Sequence, residues 1–250
     1  MDAPDTQAPE VVPFPVATQC VIFGVPCYSH TVSLGFWLST LQLEGLLCQH
    51  GIAHGLIPLK GDPHLAKARN HIVTLFLDDF TPGTDLFFLD DDVSFPAEAV
   101  LRLLNHPADI VAGVYPHKNE IGTWPAEIAS RDGRLIQKDG AYLANLAPTG
   151  FMRIKRHVLE RMAKDADTYP DRDATGRERR FYNIFECGYA RGPGEWWGED
   201  FAFIAKARGL GFDPYIVADI DFGHQGMREW TGNYGHAIAA WLEKQKEAAA

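Results

Sequence analysis

Three consecutive carboxylates, Asp90, Asp91 and Asp92, directly follow a short apolar segment at 85–89. Adjacent carboxylates repel one another unless they are protonated, hydrated or bridged by a cation, and hard divalent ions prefer oxygen ligands. If the apolar segment is a strand of an open α/β sheet, the acids at its carboxyl end face the crevice where such sheets bind ligands. The pattern indicates a Mg²⁺ or Mn²⁺ site, although short acidic runs also cap helices or hydrate loops.

A second acidic pair, Glu199 and Asp200, follows Trp196 and Trp197 at the expected start of a helix. Either acid alone is more typical of a helix start, because the helix dipole stabilises negative charge there. Aromatic rings beside carboxylates nevertheless suit a sugar, since its ring faces stack and its hydroxyl groups donate hydrogen bonds. His224 follows a later predicted strand and could act as a metal ligand, and imidazole suits Mn²⁺ better than Mg²⁺.

The elements that must position these groups are indicated by hydrophobic periodicity. In the first half, apolar β-branched segments alternate with helical patterns, which implies a mainly parallel sheet with helices on both faces. The pattern predicts strands at 20–25, 52–59, 85–89 and 110–115, and helices at 32–50, 65–77 and 97–104.

The second half has a more antiparallel pattern. Asp132-Gly133 predicts a tight hairpin, and residues 164–180 are so polar that we expect a mobile loop. The remaining predicted elements are strands at 150–154 and 215–218 and helices at 156–163, 199–208 and 234–246.

Composition excludes several functional classes. A net charge of −10 argues against a nucleic-acid backbone as the main partner, since such binding needs a concentrated basic face. No apolar run reaches the roughly 18 residues of a membrane span, and the acidic start differs from a leader, so we expect a cytosolic protein without a transmembrane segment. The four cysteines, Cys20, Cys27, Cys48 and Cys187, form neither a CxxC pair nor a close Cys/His cluster, so no zinc site is expected.

The acidic segments resemble those of a known enzyme family. Phe88-Leu89-Asp90-Asp91-Asp92-Val93 resembles the DxD motif of GT-A glycosyltransferases. The segment 196–201 is similar to the Trp-Gly-Gly-Glu-Asp-Asp segment of β-galactosyltransferases, with one glycine before the acids instead of two, and to the Glu-Asp pair of inverting GT-A enzymes. The resemblance implies an α/β GT-A fold: a Rossmann-like mixed central sheet with helices on both faces.

The same resemblance implies roles for individual residues. Asp92 and His224 would bind the metal ion, Asp90 would contact the ribose or reach the metal through water, and Asp91 would touch the sugar. Asp200 would be the general base, with Glu199 orienting the acceptor. The remaining implied contacts are Pro26, Tyr28 and Arg69 with the donor, and Gly150, Trp196 and Trp197 with the acceptor.

The implied activity is transfer of a sugar from a nucleoside-diphosphate sugar to a carbohydrate or other hydroxyl acceptor, with inversion. We expect the transferred sugar to be a hexosyl group. We expect a tail at 1–18 and one domain at 19–250, with a nucleotide-binding half at 19–116 and an acceptor-binding half at 117–250. A nucleotidyltransferase, a non-catalytic carbohydrate-binding protein and a metal-dependent phosphohydrolase are the alternatives. Segment 24–30 lacks the glycine-rich, basic phosphate loop usual in nucleotidyltransferases.

Overall fold

A computed structural model of the chain describes residues 19–173, 175–189 and 196–248. The tail expected at 1–18 lies outside the described residues. Six helices occur in these ranges: α1 (Leu34–Gln49), α2 (Leu65–Asp79), α3 (Ala97–Asn105), α4 (Arg156–Asp165), α5 (Glu199–Gly209) and α6 (Tyr234–Ala248). None of the helices in these ranges combines the length and apolarity needed to cross a bilayer.

The strands in the described ranges form one large sheet and several small ones. In chain order they are β1 (Cys20–Cys27), β2 (Ala53–Lys60), β3 (Asp85–Leu89), β4 (Val93–Ser94), β5 (Ile110–Gly113), β6 (Glu127–Ile128), β7 (Ser130–Arg131), β8 (Arg134–Leu135), β9 (Gln137–Lys138), β10 (Ala141–Leu146), β11 (Phe151–Lys155), β12 (Thr168–Arg172), β13 (Glu178–Tyr182), β14 (Gly188–Tyr189), β15 (Trp196–Trp197), β16 (Pro214–Val217), β17 (Asp221–Gln225) and β18 (Glu229–Asn233).

The large sheet has the order β2-β1-β3-β11-β5-β16-β10-β6, with β9 also paired to β10. Strands β1, β2, β3, β5 and β16 run in one direction, whereas β11 is antiparallel to both β3 and β5. Because the similarly directed strands end at one edge, the residues that follow them converge there.

Both faces of the sheet are covered by helices. The side chains of β3 show this directly: Leu86 and Phe88 belong to one buried cluster with α2, α4 and α5, and Phe87 and Leu89 belong to another with α1 and α3. Burial of both faces explains why the four residues after Asp85 in β3 are all apolar rather than alternating with polar residues. The observed mixed α/β sheet with helices on both faces confirms the predicted fold class.

The polar segment 164–180 differs from the mobile loop that its composition predicts, and that prediction is wrong. Its described residues contribute to β12 and β13, which pair in an antiparallel hairpin. Phe181 is fully buried and stacks on His71 of α2, with ring centroids 3.7 Å apart. Arg179 donates hydrogen bonds to Asp78 and Asp79 at the end of α2. The polar residues therefore hold the hairpin on a helix, a contact that local composition does not reveal.

The hairpin expected at Asp132-Gly133 is confirmed. These two residues join β7 to β8, and both have positive φ angles, 53° and 73°. Two positive φ angles are required of a type I′ turn, which Asp-Gly favours.

Candidate active site

The three aspartates line a pocket at the edge where the similarly directed strands end. Asp90 follows β3 directly, Pro26 lies near the end of β1, and Tyr115 follows β5. The pocket has a volume of about 390 Å³. Its lining residues are Pro26, Tyr28, Ser29, Asp62, Pro63, Leu65, Asp90, Asp91, Asp92, Tyr115 and His224. The structure thus brings the predicted donor residues Pro26 and Tyr28 to the same pocket as the aspartates.

Asp90 is held from three directions. Its Oδ1 accepts a hydrogen bond from Arg69 Nη2 at 3.2 Å, and its Oδ2 accepts one from Tyr115 Oη at 3.2 Å. Its backbone N–H donates to the carbonyl oxygen of Gly150 at 2.9 Å. Burial and the Asp90 charge raise the pKa of Tyr115 well above its usual value, so this phenol remains a donor.

Gly150 lies where Asp90 and Tyr115 approach the backbone of the neighbouring strand. A Cβ atom at this position would be 2.1 Å from Asp90 Oδ2 and 2.2 Å from Tyr115 Oη. The resemblance implies an acceptor contact for Gly150, whereas in the structure the Asp90 carboxylate and the Tyr115 hydroxyl lie closest to its backbone.

We expect Gly150→Ala to lower the free energy of unfolding by about 1 to 3 kcal/mol, because the added methyl group overlaps two part-buried side chains. Gly45→Ala is the matched control, since a Cβ at Gly45 within α1 meets nothing within 4 Å. In Gly45→Ala, the free energy of unfolding should rise by about 0.5 to 1 kcal/mol. Urea unfolding of both variants measures the difference, and equal stability of the two would contradict the packing at Gly150.

Asp92 and His224 come together through a short strand pairing. β17 pairs with β4 so that His224 lies opposite Val93, and Gln225 N donates to Asp92 O at 2.8 Å. His224 Nε2 consequently lies 3.4 Å from Asp92 Oδ1, while Lys118 Nζ donates to Asp92 Oδ2. Burial opposes ionisation of Asp92, but the contacts with His224 and Lys118 outweigh it and lower the pKa of this carboxyl.

The pair of Asp92 and His224 fits a divalent cation. His224 Nδ1 lies 2.8 Å from the carbonyl oxygen of Pro116, which can only accept, so Nδ1 carries a proton and Nε2 faces Asp92. Metal-binding histidines are usually oriented in this way by a carbonyl on the other ring nitrogen. The 3.4 Å separation of the two ligand atoms is close to the roughly 3 Å expected for neighbouring ligands around an octahedral cation.

Asp90 and Asp91 are less directly suited to bind a cation. Both oxygens of Asp90 already accept hydrogen bonds. Among the described residues, the ligand atoms of Asp90, Asp92 and His224 do not all lie within 4.8 Å of one another. Burial raises the pKa of Asp91, and the charges of Asp92 and Asp90 add to this effect. The backbone oxygen of Asp91 accepts from Ser33 N at 2.9 Å, which fixes the start of α1 beside the pocket.

The second acidic pair is joined to the first by Arg69. Arg69 is 2 % exposed, and its Nε donates to Glu199 Oε1 at 3.4 Å while its Nη2 donates to Asp90. The resemblance implies a donor contact for Arg69. The structure buries its side chain between two carboxylates that are far apart in the chain.

Asp200 occupies the first turn of α5 beside Glu199. Burial is the main cause that raises the pKa of Asp200 to about 6, and the negative charge of Glu199 adds to it. Because α5 begins at Glu199, both acids lie at the positive end of the helix dipole. The N-cap residue, Gly198, has no side chain to cap the helix. A carboxylate with a pKa near neutrality is well matched to accept a proton.

The position of α5 depends on Asn70, the neighbour of Arg69 on α2. Asn70 Oδ1 accepts hydrogen bonds from the backbone N–H groups of Ile184 and Phe185, and its Nδ2 donates to the carbonyl of Phe185. The ring of Phe185 stacks on Phe203 of α5, with centroids 4.6 Å apart. Two adjacent residues of α2 therefore help to position α5: Arg69 contacts Glu199 of α5, and Asn70 holds the segment that packs against α5.

The two predicted acceptor tryptophans differ in exposure. Trp196 is 65 % exposed, whereas Trp197 is 6 % exposed and belongs to the core. Only Trp196 therefore presents its ring to solvent. Residues 190–195, which precede them, lie outside the described residues.

Sequence reasoning assigned no role to two residues that contact the aspartates, Tyr115 and Lys118. Both belong to the segment that continues from β5, so their position after a strand of the predicted sheet was the available signal. Their contacts with Asp90 and Asp92 depend on side-chain direction, which the pattern does not specify.

Comparison with known proteins gives likeness in structure alone. No protein-family model and no curated protein sequence matches the chain. Similar solved structures include a glycosyltransferase involved in the glycosylation of the major capsid of PBCV-1, with 16% identity, 57% of this chain and 62% of that chain covered, and a TM-score of 0.33. Another is the catalytic domain of Drosophila beta1,4galactosyltransferase 7 in complex with xylobiose, with 14% identity, 80% and 65% covered, and a TM-score of 0.42. A third, A197 from STIV, is 20% identical over 83% of this chain and 86% of that chain, with a TM-score of 0.50, and so shares the fold.

Proposed function

We propose that this chain is a glycosyltransferase that moves a sugar, most simply a hexosyl group, from a nucleoside-diphosphate sugar to a hydroxyl acceptor. The observation that carries the proposal is the arrangement around Arg69, which joins Asp90 of the pocket to Glu199, the neighbour of Asp200. A pocket suited to a cation and a diphosphate thus adjoins a carboxylate suited to activate an acceptor hydroxyl.

The donor would bind in the pocket, with its base beside Pro26 and Tyr28 and its diphosphate toward Asp92 and His224. These two residues would hold Mn²⁺ or Mg²⁺, which would supply positive charge to the departing diphosphate. Lys118, which contacts Asp92, would contribute a further positive charge. Asp90, fixed by Arg69 and Tyr115, would accept a hydrogen bond from a donor hydroxyl or from a cation-bound water.

The acceptor would bind beside Asp200, against the exposed ring of Trp196. The Asp200 carboxylate would take the proton of the acceptor hydroxyl as its oxygen attacks the anomeric carbon. The new carbon–oxygen bond forms as the bond to the diphosphate oxygen breaks, so in-line attack inverts the anomeric centre.

Thermal unfolding with a panel of nucleoside diphosphates and nucleotide sugars tests the donor site. We expect one base to raise the melting temperature with Mn²⁺ but not with chelator, because a ligand that binds only the native state stabilises it. At a ligand concentration 100 times the dissociation constant, the gain would be about 2.7 kcal/mol. Asp92→Asn should lose this gain.

Asp165→Asn is the matched control for Asp92→Asn, since Asp165 is an exposed acid at the end of α4, outside the pocket lining. It should keep the full metal-dependent gain. If no nucleotide stabilises the unmodified protein, the glycosyltransferase proposal is wrong and a binding role without nucleotide chemistry takes its place. Release of phosphate or nucleotide at a rate independent of any acceptor would instead indicate a phosphohydrolase.

A further inference from the structure

A second group of potential metal ligands lies where α1 is joined to β2. Glu44 and Cys48 are one helical turn apart on α1, and His54 is the second residue of β2. The connection is short because Gly51 has a φ of 64° and Ile52 N donates to Leu47 O at 3.0 Å. Since β2 begins here, the group lies at the edge of the sheet opposite the pocket.

The three side chains already contact one another. His54 Nε2 is 2.8 Å from Glu44 Oε2, and Cys48 Sγ is 3.6 Å from Glu44 Oε1. One ligand atom from each residue lies within 4.8 Å of the others, the sole group of three or more in the described residues to do so. Bonds of about 2.0 to 2.3 Å to one tetrahedral ion separate its ligands by roughly 3.3 to 3.7 Å, so small side-chain movements are enough.

The ring of His54 is oriented as a metal ligand. Its Nδ1 lies 2.9 Å from the carbonyl oxygen of Ile52, which can only accept a hydrogen bond. Nδ1 therefore carries a proton, and Nε2 faces the Glu44 carboxylate. Metal-binding histidines are usually oriented in this way, with the other ring nitrogen donating to a carbonyl oxygen.

We propose that Glu44, Cys48 and His54 form a binding site for Zn²⁺. A thiolate, an imidazole and a carboxylate favour zinc over Mg²⁺ or Mn²⁺, and three protein ligands leave a fourth, tetrahedral position for water. As the sulfur–metal bond forms, the thiol proton of Cys48 passes to solvent. The bound ion links the last turns of α1 to β2, which makes the site a structural clamp outside the pocket.

Co²⁺ is the probe that separates this site from the pocket, because only a thiolate ligand produces a sulfur-to-cobalt charge-transfer band. We expect the reduced, metal-free protein to develop this band with one equivalent of Co²⁺ and to lose it when Zn²⁺ is added. Cys48→Ser should abolish the band, and His54→Gln should weaken Co²⁺ binding at least about tenfold.

Cys187→Ser and Asp92→Asn are the controls, and both should keep the band. Cys187 is the other exposed cysteine, so it tests whether any surface thiol suffices. The proposal is wrong if the unmodified protein gives no band, if the band survives in Cys48→Ser, or if it depends on Cys187.

A second measurement distinguishes loss of the metal site from loss of the fold in the variants. Zn²⁺ should raise the melting temperature of the unmodified protein and leave that of Cys48→Ser unchanged, with both proteins giving the same circular dichroism spectrum before metal is added. Equal stabilisation of the two proteins by Zn²⁺ would overturn the site. Neither measurement requires a nucleotide or a sugar, so the outcome is independent of the proposed transferase activity.

Discussion

Asp200→Asn is expected to reduce sugar transfer by about 10² to 10⁴-fold while leaving donor binding intact, because the amide cannot take the proton of the acceptor hydroxyl. In the unmodified protein, kcat/KM should rise with pH through an apparent pKa of about 6, the value to which burial and Glu199 raise this carboxyl. The variant should lose this rise. Initial rates between pH 5 and pH 8, with thermal shift by the donor as the binding measurement, test both statements.

The same substitution should stabilise the fold above pH 6. The pKa of Asp200 is about 6 in the native state and 3.8 by reference, so the native state keeps a proton that the unfolded chain has lost. The stabilisation that the protonated Asp200 contributes is therefore fully present below pH 3.8 and is lost as the pH rises through 6. The cost of the buried charge at pH 7 is up to about 3 kcal/mol, from two pKa units at 1.36 kcal/mol each.

Urea unfolding at several pH values measures this gain. The advantage of Asp200→Asn over the unmodified protein should grow between pH 4 and pH 7, since asparagine does not ionise. Asp165→Asn, an exposed acid paired with Arg161, should show no such growth. A variant that is inactive and also less stable at pH 7 would indicate that Asp200 supports the structure rather than the chemistry.

The sequence allowed the position of the aspartates to be predicted because their signal is local. A short run of consecutive apolar residues is typical of a central strand that is buried on both faces. The acids directly after Leu89 then lie at the carboxyl end of that strand. The first-half helices and strands were predictable for the same reason. None of these inferences requires knowledge of which strands are neighbours.

The partners of Asp90 could not be predicted, because they come from three other elements. β11 lies antiparallel between β3 and β5, and this order brings Gly150, just before β11, and Tyr115, just after β5, close to Asp90. Periodicity predicts that 150–154 is a strand but says nothing about its neighbours. Likewise, His224 reaches Asp92 through a two-residue strand, β4, that is too short to give a pattern.

The polarity of 164–180 predicts a loop because polarity reflects affinity for water and does not register charged partners elsewhere in the chain. The carboxylate of Asp171 lies 2.6 Å from Lys67 Nζ and 3.2 Å from His71 Nε2, both on α2. These contacts, together with the buried ring of Phe181, hold β12 and β13 on the helix. The cysteine spacing likewise does not reveal that the turn at Gly51 brings His54 back to Cys48.

Arg69→Met is expected to lower the free energy of unfolding by about 3 to 5 kcal/mol at pH 7, the usual cost of removing one partner of a buried ion pair. Burial opposes the charge of Arg69, but Asp90 and Glu199 outweigh it and raise its pKa. Without the guanidinium, these carboxylates, 19 % and 13 % exposed, would face each other unneutralised. Arg69→Lys should also be less stable, because one ammonium group cannot reproduce both hydrogen bonds of the planar guanidinium.

Arg102→Met is the matched control, since Arg102 pairs with Asp219 at the surface, where both side chains are well exposed. Arg102→Met should lower the free energy of unfolding by no more than about 1 kcal/mol. Adding Asp90→Asn to Arg69→Met should recover part of the loss, because it removes the charge of one of the two facing carboxylates. A loss that equals that of Arg102→Met and is not reduced by Asp90→Asn would mean that Arg69 does not join Asp90 to Glu199. In that case the pocket and the acids of α5 would lack the link on which a common transferase site depends.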